Sequence, residues 1–172
     1  MLKFAGACLI MVSAAGIGVS FSADLRRRCQ ELRILKQLVY MLRGEIKYTK
    51  TPLPEAFYHI SVRLPEPFGS FLSRVAEELA KAEGRTFGEL WREQIRETLH
   101  SSRLNRMDKE QLATLGEVLG YLDVEMQLAA IDLYIEQLEE GIREAENSMG
   151  TKQKLYQSLG VAGGIFLVIL LI

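Results

Sequence analysis

Two uncharged apolar segments, one at each end, constrain the fold of this chain more than any other feature. Residues 4–23 and residues 155–172 contain no Asp, Glu, Lys or Arg. As an α-helix rising about 1.5 Å per residue, each is long enough to cross a hydrocarbon core of roughly 30 Å. We therefore predict a transmembrane helix at residues 4–23 and another at residues 155–172.

A cleaved signal peptide is the alternative interpretation of the first segment. Lys3 resembles a basic n-region, and Ser20 and Ser22 supply the small residues of a cleavage site. The apolar run is longer than an ordinary signal core, however, and three arginines at positions 26–28 follow it directly. Such a basic stop favours a retained N-terminal span.

Basic residues flank the first segment unevenly, with Lys3 before it and a cluster within about 20 residues after it. The cluster consists of Arg26, Arg27, Arg28, Arg33, Lys36 and Arg43. The positive-inside rule then predicts that residues 24–154 are cytoplasmic. Arginines this close to the end of a span are also expected to contact anionic membrane lipid. The net charge of −1 and the lack of interleaved aromatic and basic residues exclude a nucleic-acid-binding class.

Between the predicted spans, apolar residues recur every three or four positions in six stretches, which is typical of amphipathic helices. Residues 25–47 form the first helix, with an inward stripe at Leu32, Leu35, Val39, Leu42 and Ile46. Start and stop residues then separate the four helices that follow. Thr51 with Pro52 begins the second helix, and Pro65 with Pro67 ends it. Gly84 follows the third helix as a left-handed residue, and Thr86 with Glu89 forms a capping box before the fourth. Asp108 caps the fifth helix, and Gly120 ends it.

The sixth helix begins near Asp123 and carries a heptad seam that continues towards the second span. The seam residues are Val124, Leu128, Ile131, Ile135, Leu138, Ile142, Ala145 and Met149. Because both ends of the domain leave the same membrane, the first and sixth helices are predicted to run antiparallel. Equal distance from the membrane then pairs Leu35 with Ala145 and Leu42 with Leu138.

The predicted fold is therefore all-α, a six-helix cytoplasmic bundle over residues 24–154 with an antiparallel helical stalk continuous with two transmembrane helices. No stretch alternates apolar and polar residues as a half-buried strand would. In the second span, Gly160 and Gly164 form a small-residue motif that lets helices approach closely. The motif favours packing of the two spans within one chain, with a homo-oligomer as the alternative.

The residues that could carry chemistry do not form a site. Glu97 and His100 match one Glu-x-x-His step of a di-iron bundle, but such a centre needs two steps. His59 has no Glu three residues before it, so we expect both histidines on the solvated surface. Residues 150–152 have the composition of a phosphate loop without its spacing. The sequence predicts no catalytic, metal or cofactor-binding residue, and hence a protein that is not an enzyme.

Three stretches together resemble the stage III sporulation protein AB family of endospore-forming bacteria, and the resemblance covers the whole chain. They are Thr51-Pro52-Leu53-Pro54-Glu55-Ala56, Leu119-Gly120-Tyr121-Leu122-Asp123 with Gln127, and Leu155-Tyr156-Gln157-Ser158-Leu159-Gly160-Val161 with Gly163 and Gly164. The resemblance implies a platform subunit of a sporulation channel, similar to a secretion complex, in the mother-cell (outer forespore) membrane. It implies a domain similar to the F domain of type II secretion and type IV pilus platforms.

The same resemblance implies particular partners. They are a cytoplasmic ATPase similar to stage III sporulation protein AA and other membrane proteins of the channel complex. Two alternatives come from the residues alone. One is a membrane-anchored coiled-coil scaffold or signalling protein without an ATPase, and the other is a membrane-tethered di-iron enzyme.

The partner-binding surface is predicted at the turn formed by residues 120–127. About 30 residues of the sixth helix, or roughly 45 Å, separate Asp123 from the second span, so the turn reaches a depth at which a soluble motor docks. Gly120, Asp123 and Gln127 are the candidate contact residues. The structural alternative gives Gly120 a left-handed turn and makes Asp123 an N-cap, whereas Gln127 lies off the seam and beyond the first turn.

Overall fold

The computed structural model describes the backbone of residues 2–49, 51–81, 84–120 and 123–171, and side chains between residues 23 and 149 within those ranges. The described residues form six α-helices and contain no strand, which confirms the all-α prediction. The helices are α1 (Leu2–Gly44), α2 (Leu53–Ser61), α3 (Phe68–Lys81), α4 (Phe87–Thr98), α5 (Arg106–Leu119) and α6 (Val124–Leu171). A π-helical turn, Glu45–Thr49, follows α1, and a 3-10 turn, Leu99–Ser101, follows α4.

The chain divides into two compact units. One contains residues 1–27 with 143–172, and the other contains residues 28–142. The predicted spans at 4–23 and 155–172, including Gly160 and Gly164, fall outside the described side chains, apart from Ala23. Where side chains are described, no helix has the length and apolarity that a membrane crossing requires.

Two of the predicted helix boundaries are confirmed in detail. Gly84 has a φ of 75°, the left-handed conformation expected after α3. At the start of α4 the Thr86 hydroxyl accepts from the Glu89 backbone N–H at 3.3 Å, and the Glu89 carboxylate accepts from the Thr86 N–H at 3.1 Å. Both halves of the capping box are therefore formed.

Two other boundaries differ from the prediction. Asn105, not Asp108, caps α5, and Asp108 is the third residue of the helix, where its carboxylate closes the capping box. The cap of α2 is Pro52, which makes no side-chain capping bond. The Thr51 hydroxyl instead donates to the Glu45 carboxylate at 3.2 Å.

An aromatic cluster fills the core of the unit 28–142. Its members are Phe57, Phe71, Phe87 and Trp91. Phe71 meets the Trp91 ring edge to face at 4.8 Å between centroids, and Trp91 Nε1 donates to the Leu112 carbonyl oxygen at 2.8 Å. Gly116 lies against the indole, where a Cβ would come within 2.1 Å of Trp91 Cδ1. Only glycine lets α5 pass the indole this closely.

Helices α1 and α6 bury most of the predicted stripes. All five residues of the first predicted stripe are buried, four in α1 and Ile46 in the π-helical turn. Four of the predicted α6 residues are buried too, Ile131, Ile135, Leu138 and Ala145. Val124 is exposed, so its assignment to the seam was wrong. Tyr134 is buried although the heptad pattern did not select it, and burial raises the pKa of its phenol.

Two ion pairs fix how α1 and α6 run within the unit 28–142. Lys36 Nζ lies 2.7 Å from Glu139, and Arg43 Nε lies 2.6 Å from Asp132. Residue numbers rise on one helix as they fall on the other, which confirms the antiparallel arrangement here. Because Arg43 lies level with Asp132, Leu42 lies level with residue 133. The predicted pairing of Leu42 with Leu138 is therefore wrong by about five residues.

Candidate functional site

The turn between α5 and α6 holds the three residues predicted to bind a partner, and each has a structural contact. Asp123 Oδ1 accepts from the Met126 backbone N–H at 3.0 Å and so caps α6, as the structural alternative predicted. Gln127 Nε2 donates to the Leu119 carbonyl oxygen at 2.8 Å. This bond satisfies an acceptor at the end of α5, a role that sequence reasoning did not assign to Gln127.

Gly120 is not left-handed, since its φ is −74° and its ψ is −20°. The prediction of a left-handed turn there was wrong. A Cβ at this position would lie 3.1 Å from Phe87 Cβ. The glycine therefore serves the close approach of α5 to α4, and it brings the turn against the aromatic core.

An exposed apolar surface begins within this turn. Met126 is 53 % exposed, Leu133 is 57 % exposed and Ala129 between them is also exposed. These three residues, at positions i, i+3 and i+7 of α6, form what we call the α6 apolar face. At about 100° per residue they point away from the side of α6 that buries Ile131. Sequence reasoning missed this face, although its helical spacing is visible beside the heptad seam.

Acidic residues border the α6 apolar face. Glu125 and Glu136 are exposed on the neighbouring stripe of α6, and Asp132 lies between them. The Arg43 guanidinium binds Asp132 through Nε at 2.6 Å and Nη2 at 3.1 Å. These hydrogen bonds lower the pKa of Asp132 and raise that of Arg43. Arg43 already neutralises Asp132, so Glu125 and Glu136 supply the negative charge that basic side chains of a covering protein would meet.

A buried ion pair ties the start of α5 to α1. Arg28 Nε and Nη2 donate to the two Asp108 carboxylate oxygens at 2.8 and 2.9 Å. The Arg28 side chain is 13 % exposed and that of Asp108 is 4 % exposed. Asp108 also accepts from the Asn105 backbone N–H at 2.8 Å. Sequence reasoning missed this pair, because its members are 80 residues apart and charged residues are seldom buried.

The loop before α5 is also held against α1. Glu31 accepts from the Arg103 backbone N–H at 2.6 Å. Burial is the largest influence on this carboxyl and raises its pKa, despite the hydrogen bonds from the loop. Together with the Arg28 pair, this contact fixes the start of α5 on α1.

The two histidines are exposed, as predicted. His100 Nδ1 donates to the Glu97 carbonyl oxygen at 2.6 Å, so the imidazole contacts the Glu97 backbone. Among the residues with described side chains, no group of three His, Cys, Asp or Glu is arranged to hold a metal ion.

Comparison with known proteins bears on the whole length of the chain. The family model described as stage III sporulation protein AB matches residues 3–172. The chain belongs to this family. Stage III sporulation protein AB of Bacillus subtilis (strain 168) is 29 % identical over 171 residues, which is 99 % of each chain. A solved structure of stage III sporulation protein AB aligns with a TM-score of 0.67 at 27 % identity.

That alignment covers 72 % of this chain and 97 % of the solved one. The family predicted from the three short stretches is thus confirmed. Membership in the stage III sporulation protein AB family makes this a sporulation protein with an all-α fold.

Proposed function

We propose that this chain is a non-enzymatic membrane platform subunit of a sporulation channel complex and that it docks a cytoplasmic ATPase. Family membership supports the sporulation role. The ATPase, similar to stage III sporulation protein AA, is the partner expected from the resemblance. The α6 apolar face is the observation that carries the docking proposal, because exposed apolar residues in a row mark sites of protein contact.

Membrane anchoring is the first part of the proposal. Residues 4–23 and 155–172 each supply an uncharged apolar segment of spanning length, and basic residues follow the first one directly. In this topology residues 24–154 are cytoplasmic, and the chain sits in the mother-cell (outer forespore) membrane. Gly160 and Gly164 are proposed to let the two spans pack closely.

Docking on the α6 apolar face is the second part. Gly120, Asp123 and Gln127 build the turn that presents this face, and we propose that they border the ATPase contact. The acidic rim selects a partner surface with basic residues around an apolar centre. This arrangement needs a rigid support and a recognition surface, and it needs no catalytic group.

A matched pair of methionines tests the docking site. Met126 lies in the α6 apolar face, whereas Met107 is 68 % exposed in the first turn of α5, away from that face. We expect Met126→Ser and Leu133→Ser each to weaken binding of the ATPase by about tenfold or more, as truncation of a central contact does. Met107→Ser should bind like the parent chain. Binding is measured with the full chain in neutral detergent and the purified ATPase.

The turn residues have a separate expectation. Asp123→Ala removes a helix cap and Gln127→Ala removes a hydrogen bond to Leu119, so each should lower stability by about 1 kcal/mol. Weaker ATPase binding by the folded variants would support their contact role. If Met126→Ser and Met107→Ser bind the ATPase equally well, the docking surface lies elsewhere. A parent chain that binds no ATPase would favour the scaffold alternative.

A further inference from the structure

A cationic cleft of about 750 Å³ lies between α4 and α5 in the unit 28–142. Its apolar lining comes from Ile95, Leu104 and Ala113. Five of its lining residues are basic in type and one, Glu110, is acidic. The basic ones are Arg92, Arg96, His100, Arg106 and Lys109. Neither the docking proposal nor the α6 apolar face uses this cleft.

The acidic residue of the cleft is already engaged. Glu110 accepts from Arg92 Nη1 at 3.1 Å, and the other end of that guanidinium donates to Glu117. Both Arg96 and Arg106 are exposed, and no carboxylate pairs with either of them in the part of the chain that the structure describes. The cleft therefore offers two guanidinium groups to an anion from solution, beside the Lys109 ammonium, which also faces the Glu31 carboxylate.

The cleft lies at the end of the unit where α1 enters it. Lys109 follows Asp108, which binds Arg28, and Leu104 follows Arg103, whose backbone binds Glu31. Arg28 is only five residues beyond the first apolar segment in the sequence. The turn at the other end of α5 carries exposed acidic residues instead. Within α5, the basic residues Arg106 and Lys109 therefore lie at the end that contacts Arg28.

We propose that this cleft binds the phosphate headgroup of an anionic phospholipid. Guanidinium groups bind phosphate through paired N–H donors, so Arg96 and Arg106 are the residues that would hold it, with Lys109 adding charge. The cleft lies at the end of the unit that carries Arg28, five residues beyond the first apolar segment, and this position favours a lipid phosphate over a free one. The proposal rests on the membrane anchoring of the proposed function and adds a defined lipid site to it.

Native mass spectrometry of the full chain in neutral detergent tests the cleft. Short-chain phosphatidylglycerol and phosphatidylcholine are added separately, and the fraction of chain with one lipid bound gives an apparent affinity. The parent should prefer phosphatidylglycerol. We expect Arg96→Gln with Arg106→Gln to weaken phosphatidylglycerol binding by about 30-fold, from the usual contribution of two basic residues beside an anionic lipid.

The matched control removes two exposed charges elsewhere, Lys47→Gln with Arg63→Gln, and should bind phosphatidylglycerol like the parent. If both double variants lose phosphatidylglycerol affinity equally, binding depends on diffuse charge and the site is refuted. If neither variant loses affinity, the site is refuted as well. Inorganic phosphate and ATP form two further arms. If either competes with phosphatidylglycerol at equal concentration, a soluble phosphate ligand replaces the lipid.

Carbonate extraction of membranes from the expressing cells keeps this result separate from the proposed function. A chain that is released by carbonate would refute the membrane anchoring itself. A chain that stays in the membrane but binds lipid independently of Arg96 and Arg106 would refute the cleft alone.

Discussion

Removal of the arginine should cost far more stability in the Arg28–Asp108 pair than in the Arg43–Asp132 pair, although both join an arginine of α1 to an aspartate through two hydrogen bonds. The two pairs differ in burial. Side-chain exposure is 13 % and 4 % in the first pair, and 31 % and 50 % in the second. Water screens the second pair, whereas the first holds its carboxylate out of water.

Arg28→Ala leaves the Asp108 carboxylate buried with its arginine removed. The loss of one partner from a buried pair costs about 3–5 kcal/mol. For a chain of this size that corresponds to a melting midpoint lowered by roughly 6–20 °C. Arg43→Ala is the control, and its midpoint should stay close to that of the parent.

Thermal unfolding of the full chain in neutral detergent, followed by fluorescence, measures the midpoints of both variants. The sequence contains one tryptophan, Trp91, whose burial in the aromatic cluster makes its fluorescence a reporter of the unit 28–142. Arg28→Met combined with Asp108→Asn should recover part of the loss, because it leaves no unpaired charge. If Arg28→Ala and Arg43→Ala unfold at the same midpoint, burial of the Arg28–Asp108 pair adds nothing to the cost of breaking it.

Two further predictions concern packing and pH. Gly116→Ala should destabilise the chain by about 1–3 kcal/mol or more, because its Cβ meets the indole of Trp91. Gly44→Ala is the control and, with open space around it, should be neutral or stabilising by less than about 1 kcal/mol. Equal melting midpoints for the two variants would contradict the close approach of α5 to Trp91. Because folding raises the pKa of Glu31, the protonated carboxyl stabilises the fold at a pH below the usual glutamate pKa. This contribution is lost as the pH rises through the pKa of Glu31 in the folded chain. The stability of Glu31→Gln relative to the parent should therefore be higher at pH 7 than at pH 4 in thermal melts, and the reverse trend would refute this.

The helices could be predicted from the sequence because their causes are local. Apolar residues at spacings of three and four mark the buried stripes, and Thr86 with Glu89 closes a capping box within one turn. The start of α5 was misplaced because Asn105 and Asp108 are both good caps, three residues apart. Gln111 lies three residues after Asp108, at capping-box distance, so the local pattern fits a start at Asp108 as well.

The remaining errors concern contacts between distant parts of the chain. Gly120 was assigned a left-handed turn because glycine usually ends helices that way, but its actual reason is Phe87 on another helix. Nothing near Gln127 in the sequence reveals its bond to Leu119. The register of α1 against α6 was counted from the ends of the apolar segments, which took those ends to be level.

The candidate site was found in part. The turn at residues 120–127 was selected from its distance along α6, and the exposed residues Met126, Ala129 and Leu133 begin within it. Exposure depends on what the bundle leaves uncovered. The heptad pattern identifies the buried side of α6 and says nothing about which apolar residues stay in water.

Charge on α6 repeats with the heptad, and this has a consequence for how the helical pair is specified. Acidic residues occur every seven positions, at Glu125, Asp132, Glu139 and Glu146, which matches the seven-residue step from Lys36 to Arg43. A slide of two helical turns would therefore still offer an acid to each base. The shape of the seam does not repeat in this way. Gly141 admits Leu32 Cδ1 to 3.6 Å from where its Cβ would be, and seven residues earlier stands the bulky Tyr134. A slide that sets Leu32 against Tyr134 is therefore opposed by steric fit, although charge alone would allow it.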